Sequence, residues 1–123
     1  MKKILITGGS GFIGTNLVNT LCKNTDIELL NIDIVPPKIK EHIRFWKDTD
    51  SCNKSALTDT IKNFSPDSVI HLAARTDLNG KTLQDYDANM AGVSNLLDSF
   101  DAAGSVKQAV FASSMYVCEP GYM

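Results

Sequence analysis

At 123 residues the chain has the length of one domain, enough to bury a single core and short for an enzyme that also carries a separate substrate domain. Twelve Lys+Arg against fourteen Asp+Glu give a net charge of -2 with no basic cluster, which argues against nucleic acid as a partner. Three scattered cysteines (Cys22, Cys52, Cys118) and two histidines (His42, His71) offer no metal-ligand spacing, so no metal is expected and the thiols read as reduced in a cytoplasmic protein.

The opening Met1-Lys2-Lys3-Ile4-Leu5-Ile6 starts as a signal peptide does, but its apolar stretch stops at Thr7-Gly8 and no membrane-spanning run follows. Lys3 to Thr7 suits a buried parallel strand. A glycine-rich stretch ends it, and from Phe12 to Lys23 the apolar residues Ile13, Leu17, Val18 and Leu21 fall on one helix face. Glu28 to Asp33 predicts a second strand, Pro36-Pro37 starts a loop, and Ile43 to Trp46 predicts a short third strand. Leu57, Ile61 and Phe64 predict a helix over Lys54 to Phe64 that Ser65-Pro66 ends. Ser68 to Ala73 predicts a fourth strand, Asp85 to Ala103 a long helix ending near Gly104, and Gln108 to Ser113 a fifth strand. Along the long helix Leu83, Tyr86, Met90, Val93, Leu97 and Phe100 describe an apolar seam. Strands alternating with helices predict an α/β fold, a doubly wound parallel sheet with helices on both faces.

The glycines sit in the first strand-to-helix turn, where bare backbone and a helix N-terminus let a pyrophosphate approach closely. Two spacings fit at once: Gly9-x-Gly11-x-x-Gly14 and the wider Gly8-x-x-Gly11-x-x-Gly14. The competing reading is a turn that needs glycine only for positive φ and close packing. Context favours a dinucleotide, because the turn follows a strand, opens a helix, and is followed by the acidic Asp33 at the end of the next strand. A phosphate loop of the NTPase type is excluded, since Thr15 stands where that motif needs Lys. A carboxylate at Asp33 can accept both adenosine ribose hydroxyls. A 2'-phosphate there would meet like charge worth about 4 kcal/mol at about 4 Å and an effective dielectric of about 20. NAD is thereby favoured over NADP, although Lys38 and Lys40 in the following loop could reach toward a phosphate.

Four blocks then carry a family resemblance: Thr7-Gly8-Gly9-Ser10-Gly11-Phe12-Ile13-Gly14, His71-Leu72-Ala73-Ala74, Asn89 to Leu97, and Phe111-Ala112-Ser113-Ser114-Met115-Tyr116-Val117. In this order they resemble the signature blocks of the extended short-chain dehydrogenase/reductases, the NAD-dependent epimerase/dehydratase group acting on nucleotide sugars. The resemblance implies a Rossmann sheet of five strands in the order 3-2-1-4-5. It also implies cofactor contacts at Gly8, Gly11, Phe12, Ile13 and Gly14, at Asp33, at Asp48 and Thr49 near the adenine, along Leu72, Ala73, Ala74 and Arg75, and at Asn89. Ser114 aligns with the family's catalytic hydroxyl residue, His71 with a structural position, and the long helix with the usual homodimer interface.

Departures from the pattern shape the expectation. Met115-Tyr116 replaces the Asp-Glu of the group's dehydratases, which favours epimerisation or redox over loss of water. Cys118-Glu119 replaces the usual Tyr-Gly that follows Val117, and no Tyr-x-x-x-Lys pair follows Ser114. Residues 1–123 are therefore expected to be the N-terminal part of an NAD-binding domain, incomplete at the C-terminal edge of its sheet, inactive alone, with its substrate domain elsewhere in a longer parent. A second reading is a non-enzymatic NAD-sensing module, and a third is a truncated product that merely folds.

Overall fold

The computed structural model describes residues 1–73 and 87–112. Among the described residues the elements are, in chain order, β1 (Lys2–Thr7), α1 (Phe12–Leu21), β2 (Ile27–Asp33), a 3-10 helix (Lys40–Phe45), β3 (Trp46–Asp48), α2 (Lys54–Phe64), β4 (Ser68–His71), α3 (Asp87–Ala103) and β5 (Gln108–Phe111). Every described pairing is parallel, as the alternation of strands and helices predicts, and the strand order is β3-β2-β1-β4-β5, as the resemblance implies.

The strands are apolar on both faces because each face is covered. On one face Ile4, Ile6 and Leu29 pack with Val18 of α1, with Leu17, Leu21 and Ile70 around them. On the other, Leu5, Ile32 and Val69 pack with Leu57 and Ile61 of α2 and Leu96 of α3. Alternation along β1 thus divides its side chains between the two layers. Asn53 caps α2 by accepting the Ala56 N–H at 3.1 Å, and Ser65, at φ 51°, ends the helix just before Pro66.

The third strand differs from its expected place. Ile43 to Phe45 belong to the 3-10 helix and pairing begins at Trp46, opposite Asn31. The run Ile-Arg-Phe-Trp has strand-forming residue types, but His42 is the residue this segment buries while Ile43 stays 49% exposed. The Trp46 indole N–H donates to the Asp33 carbonyl at 3.0 Å and fixes where the short edge strand starts. β4 ends at His71, two residues before the expected end, and the Leu72 N–H makes its last ladder bond, to the Thr7 carbonyl at 2.9 Å. Along α3 the expected seam divides: Phe100 packs against the core while Met90 and Leu97 are exposed, and the helix residue buried in the core is Leu96, which the seam did not include. Leu83, Asp85, Tyr86 and Ser113 lie outside the described residues.

Candidate functional site

All strands run the same way, so the C-terminal ends of β1, β2, β3 and β4 share one edge of the sheet. Strand order reverses at β1, with β2 on one side and β4 on the other, the switch point at which sheets of this kind offer a ligand crevice. The glycine turn stands in it.

Each glycine meets a different demand. Gly8 has φ +73°, and a Cβ on it would lie 2.6 Å from the Ala73 nitrogen and 2.8 Å from Leu72 C. A Cβ on Gly14 would lie 2.5 Å from the Gly8 oxygen and from Gly9 Cα, so α1 can start flush against the turn only without a side chain there. A Cβ on Gly9 would run into the Asn31 side chain. Among the described residues a Cβ on Gly11 would meet only the Gly8 oxygen, at 3.5 Å, which leaves bare backbone on an open face there. Positive φ at Gly8 and the open face at Gly11 select the Gly8, Gly11, Gly14 spacing, with Gly9 serving the packing beneath.

Gly11 is the N-cap of α1, no side chain caps that end, and its first turn holds no acidic residue. The first-turn N–H groups and the positive end of the helix dipole are thus left for an anion. Phe12 and Ile13, 80% and 64% exposed, stand on this turn.

Asp33 ends β2 beside the same turn. Its Oδ2 accepts the Ser10 N–H at 3.0 Å and its Oδ1 the Val35 N–H at 3.1 Å, and each oxygen keeps acceptor capacity. Asp48 lies in register with it on β3 and is exposed. Thr49 is buried, its N–H donates to the Asp33 carbonyl at 3.3 Å, and its hydroxyl has no partner among the described residues. Asn89, partly buried, lies in the first turn of α3. That helix leans on the loop after β3, where Asn95 Nδ2 donates to the Ser51 carbonyl at 2.9 Å. Ala74, Arg75 and Ser114 lie outside the described residues.

On the β4 side, the Ala73 N–H donates to Thr7 Oγ1 at 3.1 Å, and the Leu72 N–H reaches the same oxygen at 3.2 Å. With its lone pairs so engaged, the Thr7 hydroxyl gives its proton to His71 Nδ1, 2.6 Å away, which makes that nitrogen an acceptor. His71 is buried, its ring tilts against Phe111 at 5.6 Å, and burial lowers its pKa below 6.5. It is a neutral structural residue at the base of the crevice. The supporting roles of Thr7, Ser10 and Asn31 are not among the sequence-based expectations; a polar residue inside an apolar strand is the signal for Thr7 and Asn31, and Ser10 in the turn carries none.

Comparison with known proteins agrees with this geometry. The chain is 30% identical over 111 residues to a dTDP-glucose 4,6-dehydratase of Neisseria meningitidis serogroup B, covering 80% of this chain and 31% of that protein. It is 30% identical over 129 residues to a UDP-glucose 4-epimerase of Mycoplasma pneumoniae, covering 94% of this chain and 37% of that one. The structure superimposes on a UDP-glucose 4-epimerase of Stenotrophomonas maltophila, crystallised with NAD and formylated UDP-arabinopyranose, with a TM-score of 0.79 and 25% identity. That match covers 95% of this chain and 38% of the other, so the chain spans about a third of the length of these relatives. The family model described as NAD dependent epimerase/dehydratase matches residues 4–121, and the chain belongs to that family.

Proposed function

We propose that the chain binds NAD in the crevice and forms the cofactor-binding part of a protein that moves hydride at a carbon of a nucleotide sugar. The observation that carries this reading is the uncapped N-terminus of α1 behind the open backbone of Gly11, with Asp33 tethered to the same turn through Ser10. Gly8, Gly11, Phe12, Ile13 and Gly14 would hold the pyrophosphate, Asp33 the adenosine ribose hydroxyls, and Asp48 with Thr49 the adenine. Leu72, Ala73, Ala74, Arg75 and Asn89 would follow the nicotinamide half. Bound NAD supplies the hydride acceptor. Ser114 would hydrogen-bond the sugar hydroxyl that loses its proton as hydride leaves.

Met115-Tyr116 after Ser114 supports epimerisation or redox over loss of water in such a protein. These 123 residues contain no Tyr-x-x-x-Lys pair after Ser114, and loss of such a proton acceptor costs about 10² to 10⁴ in rate, so the 123-residue chain assayed alone is expected to bind cofactor with little turnover. Cys118-Glu119 in place of the usual residues favours a second reading, an NAD-sensing module without catalysis. No described helix is long and apolar enough to cross a membrane, and the scattered cysteines support a cytoplasmic setting. Met90 and Leu97, exposed one heptad apart on α3, support a homodimer through that helix.

Titration calorimetry of the 123-residue chain tests the cofactor assignment. NAD binds more tightly than NADP; equal or tighter binding of NADP would refute it.

A further inference from the structure

Asn31 lies on the face of β2 that α1 covers. Along this row Ile27 and Leu29 pack into the apolar layer with Ile4, Ile6 and Val18, and the row then turns polar with Asn31 and Asp33 where it passes the glycine turn. Asn31 is 1% exposed, a place where an unpaired amide is costly and an aliphatic residue would ordinarily sit. Both ends of the amide are engaged: Oδ1 accepts the Gly9 N–H at 2.8 Å, and Nδ2 donates to Ser10 Oγ at 3.2 Å. Ser10, itself 2% exposed, donates its own N–H to Asp33 at 3.0 Å. Within the turn, the backbone bond from the Gly11 N–H to the Gly8 carbonyl, at 3.2 Å, leaves Gly9 and Ser10 to be held from β2.

Resting on the NAD reading above, we infer that Asn31 is a positioning residue: through Gly9 and Ser10 it sets the glycine turn against Asp33, and so tunes both cofactor affinity and the preference for NAD over NADP. Asn31 is sealed beneath the turn and touches no ligand. It acts because one row of one strand fixes two ligand-facing groups at once, the backbone that meets phosphate and the carboxylate that meets ribose. When Asn31 is replaced, Ser10 shifts, Asp33 loses the N–H that holds its Oδ2, and the carboxylate retains only its bond from Val35. NAD then loses a well-placed partner for its hydroxyls, whereas NADP is relieved of a fixed repulsion.

The test is Asn31→Leu in the 123-residue chain, of nearly the same shape and unable to make either bond. Both dinucleotides are titrated by calorimetry well below the unfolding midpoint of each variant. The expected result is about a tenfold weaker affinity for NAD, with NADP changed much less, so that the ratio of the two affinities falls. A side chain that only stabilised the fold would lower both affinities together, and an unchanged ratio in a folded variant overturns the inference. Should Asn31→Leu fail to fold, Ser10→Ala removes the hydroxyl end of the same linkage. It is expected to narrow the ratio in the same direction by a smaller factor, and an unchanged ratio there overturns the inference equally. A wild-type chain that binds neither dinucleotide refutes the cofactor reading itself, and the role of Asn31 with it.

Discussion

Two neighbouring glycines of the turn should fail in opposite ways. At Gly8, φ +73° costs an L-residue about 1 to 2 kcal/mol, since only glycine occupies that region freely. The added methyl would also lie 2.6 to 2.8 Å from the backbone of Leu72 and Ala73, which cannot rotate away, and overpacking of this kind costs about 1 to 3 kcal/mol more. Gly8→Ala therefore loses about 2 to 5 kcal/mol, which for a chain of this size lowers the unfolding midpoint by about 10 to 20 °C. At Gly11, φ is -77° and the nearest atom to a new Cβ is 3.5 Å away. Gly11→Ala loses at most about 1 kcal/mol as a poorer N-cap, a shift under about 5 °C. Its cost falls on binding, because the methyl occupies the open face to which phosphate would come, and Gly11→Val should abolish binding of both dinucleotides. Differential scanning calorimetry without ligand, followed by titration with NAD, separates the two effects. A Gly8→Ala chain as stable as wild type, or a Gly11→Val chain with unchanged NAD affinity, would refute the roles assigned to these glycines.

Other consequences are as direct. Asp33→Ala should weaken NAD binding about tenfold and narrow its advantage over NADP, read by the same titration, since the hydroxyl acceptor and the repulsive charge disappear together. His71 is held below its ordinary pKa of 6.5 by burial, so the unfolded chain binds the extra proton first. The stability from neutral His71 is full above about pH 7 and is lost as pH falls through 6.5 toward the lower folded value; unfolding midpoints from pH 8 to 5 should fall more in wild type than in His71→Asn, and parallel curves would contradict this. Asn53→Ala should lower the midpoint by about 4 °C through loss of the α2 cap. Breaking the exposed Lys54–Asp98 pair, 2.9 Å apart, should move it by less than about 2 °C.

The parts legible in the sequence were those with a periodic or punctuated signal. Apolar runs bounded by glycine and proline marked four strands to within two residues at the ends the structure describes, and the Lys54–Phe64 helix matched at both ends, its stop marked by Ser65-Pro66 and its start held by the Asn53 cap that the structure shows. Strand-forming residue types misplaced β3, since an edge strand of three residues is set by its pairing with β2 and the Trp46 indole hydrogen bond rather than by propensity. The seam on α3 was visible as a pattern, yet a single row of apolar positions could not show which would meet α2 and which solvent. Glycine identity showed where the turn lay but not which spacing it used, because φ at Gly8 and the contact of Gly9 with Asn31 depend on a strand more than twenty residues away.

That distant strand also explains why the site is built before any ligand arrives. The turn is held from β2 by Asn31. The carboxylate of Asp33 is fixed by two backbone N–H groups. The loop after β3 is held by Asn95, and Leu72 with Ala73 by Thr7. The segments proposed to meet the cofactor are thus largely held by hydrogen bonds already made, so on that reading little ordering would be needed on binding and little affinity lost to it. Three of the polar residues buried in this apolar sheet, Thr7, Asn31 and His71, lie toward its C-terminal edge, where each hydrogen-bonds within the turn or its supports. A core selected for stability alone would place aliphatic side chains there, so their position marks the edge at which the fold serves binding.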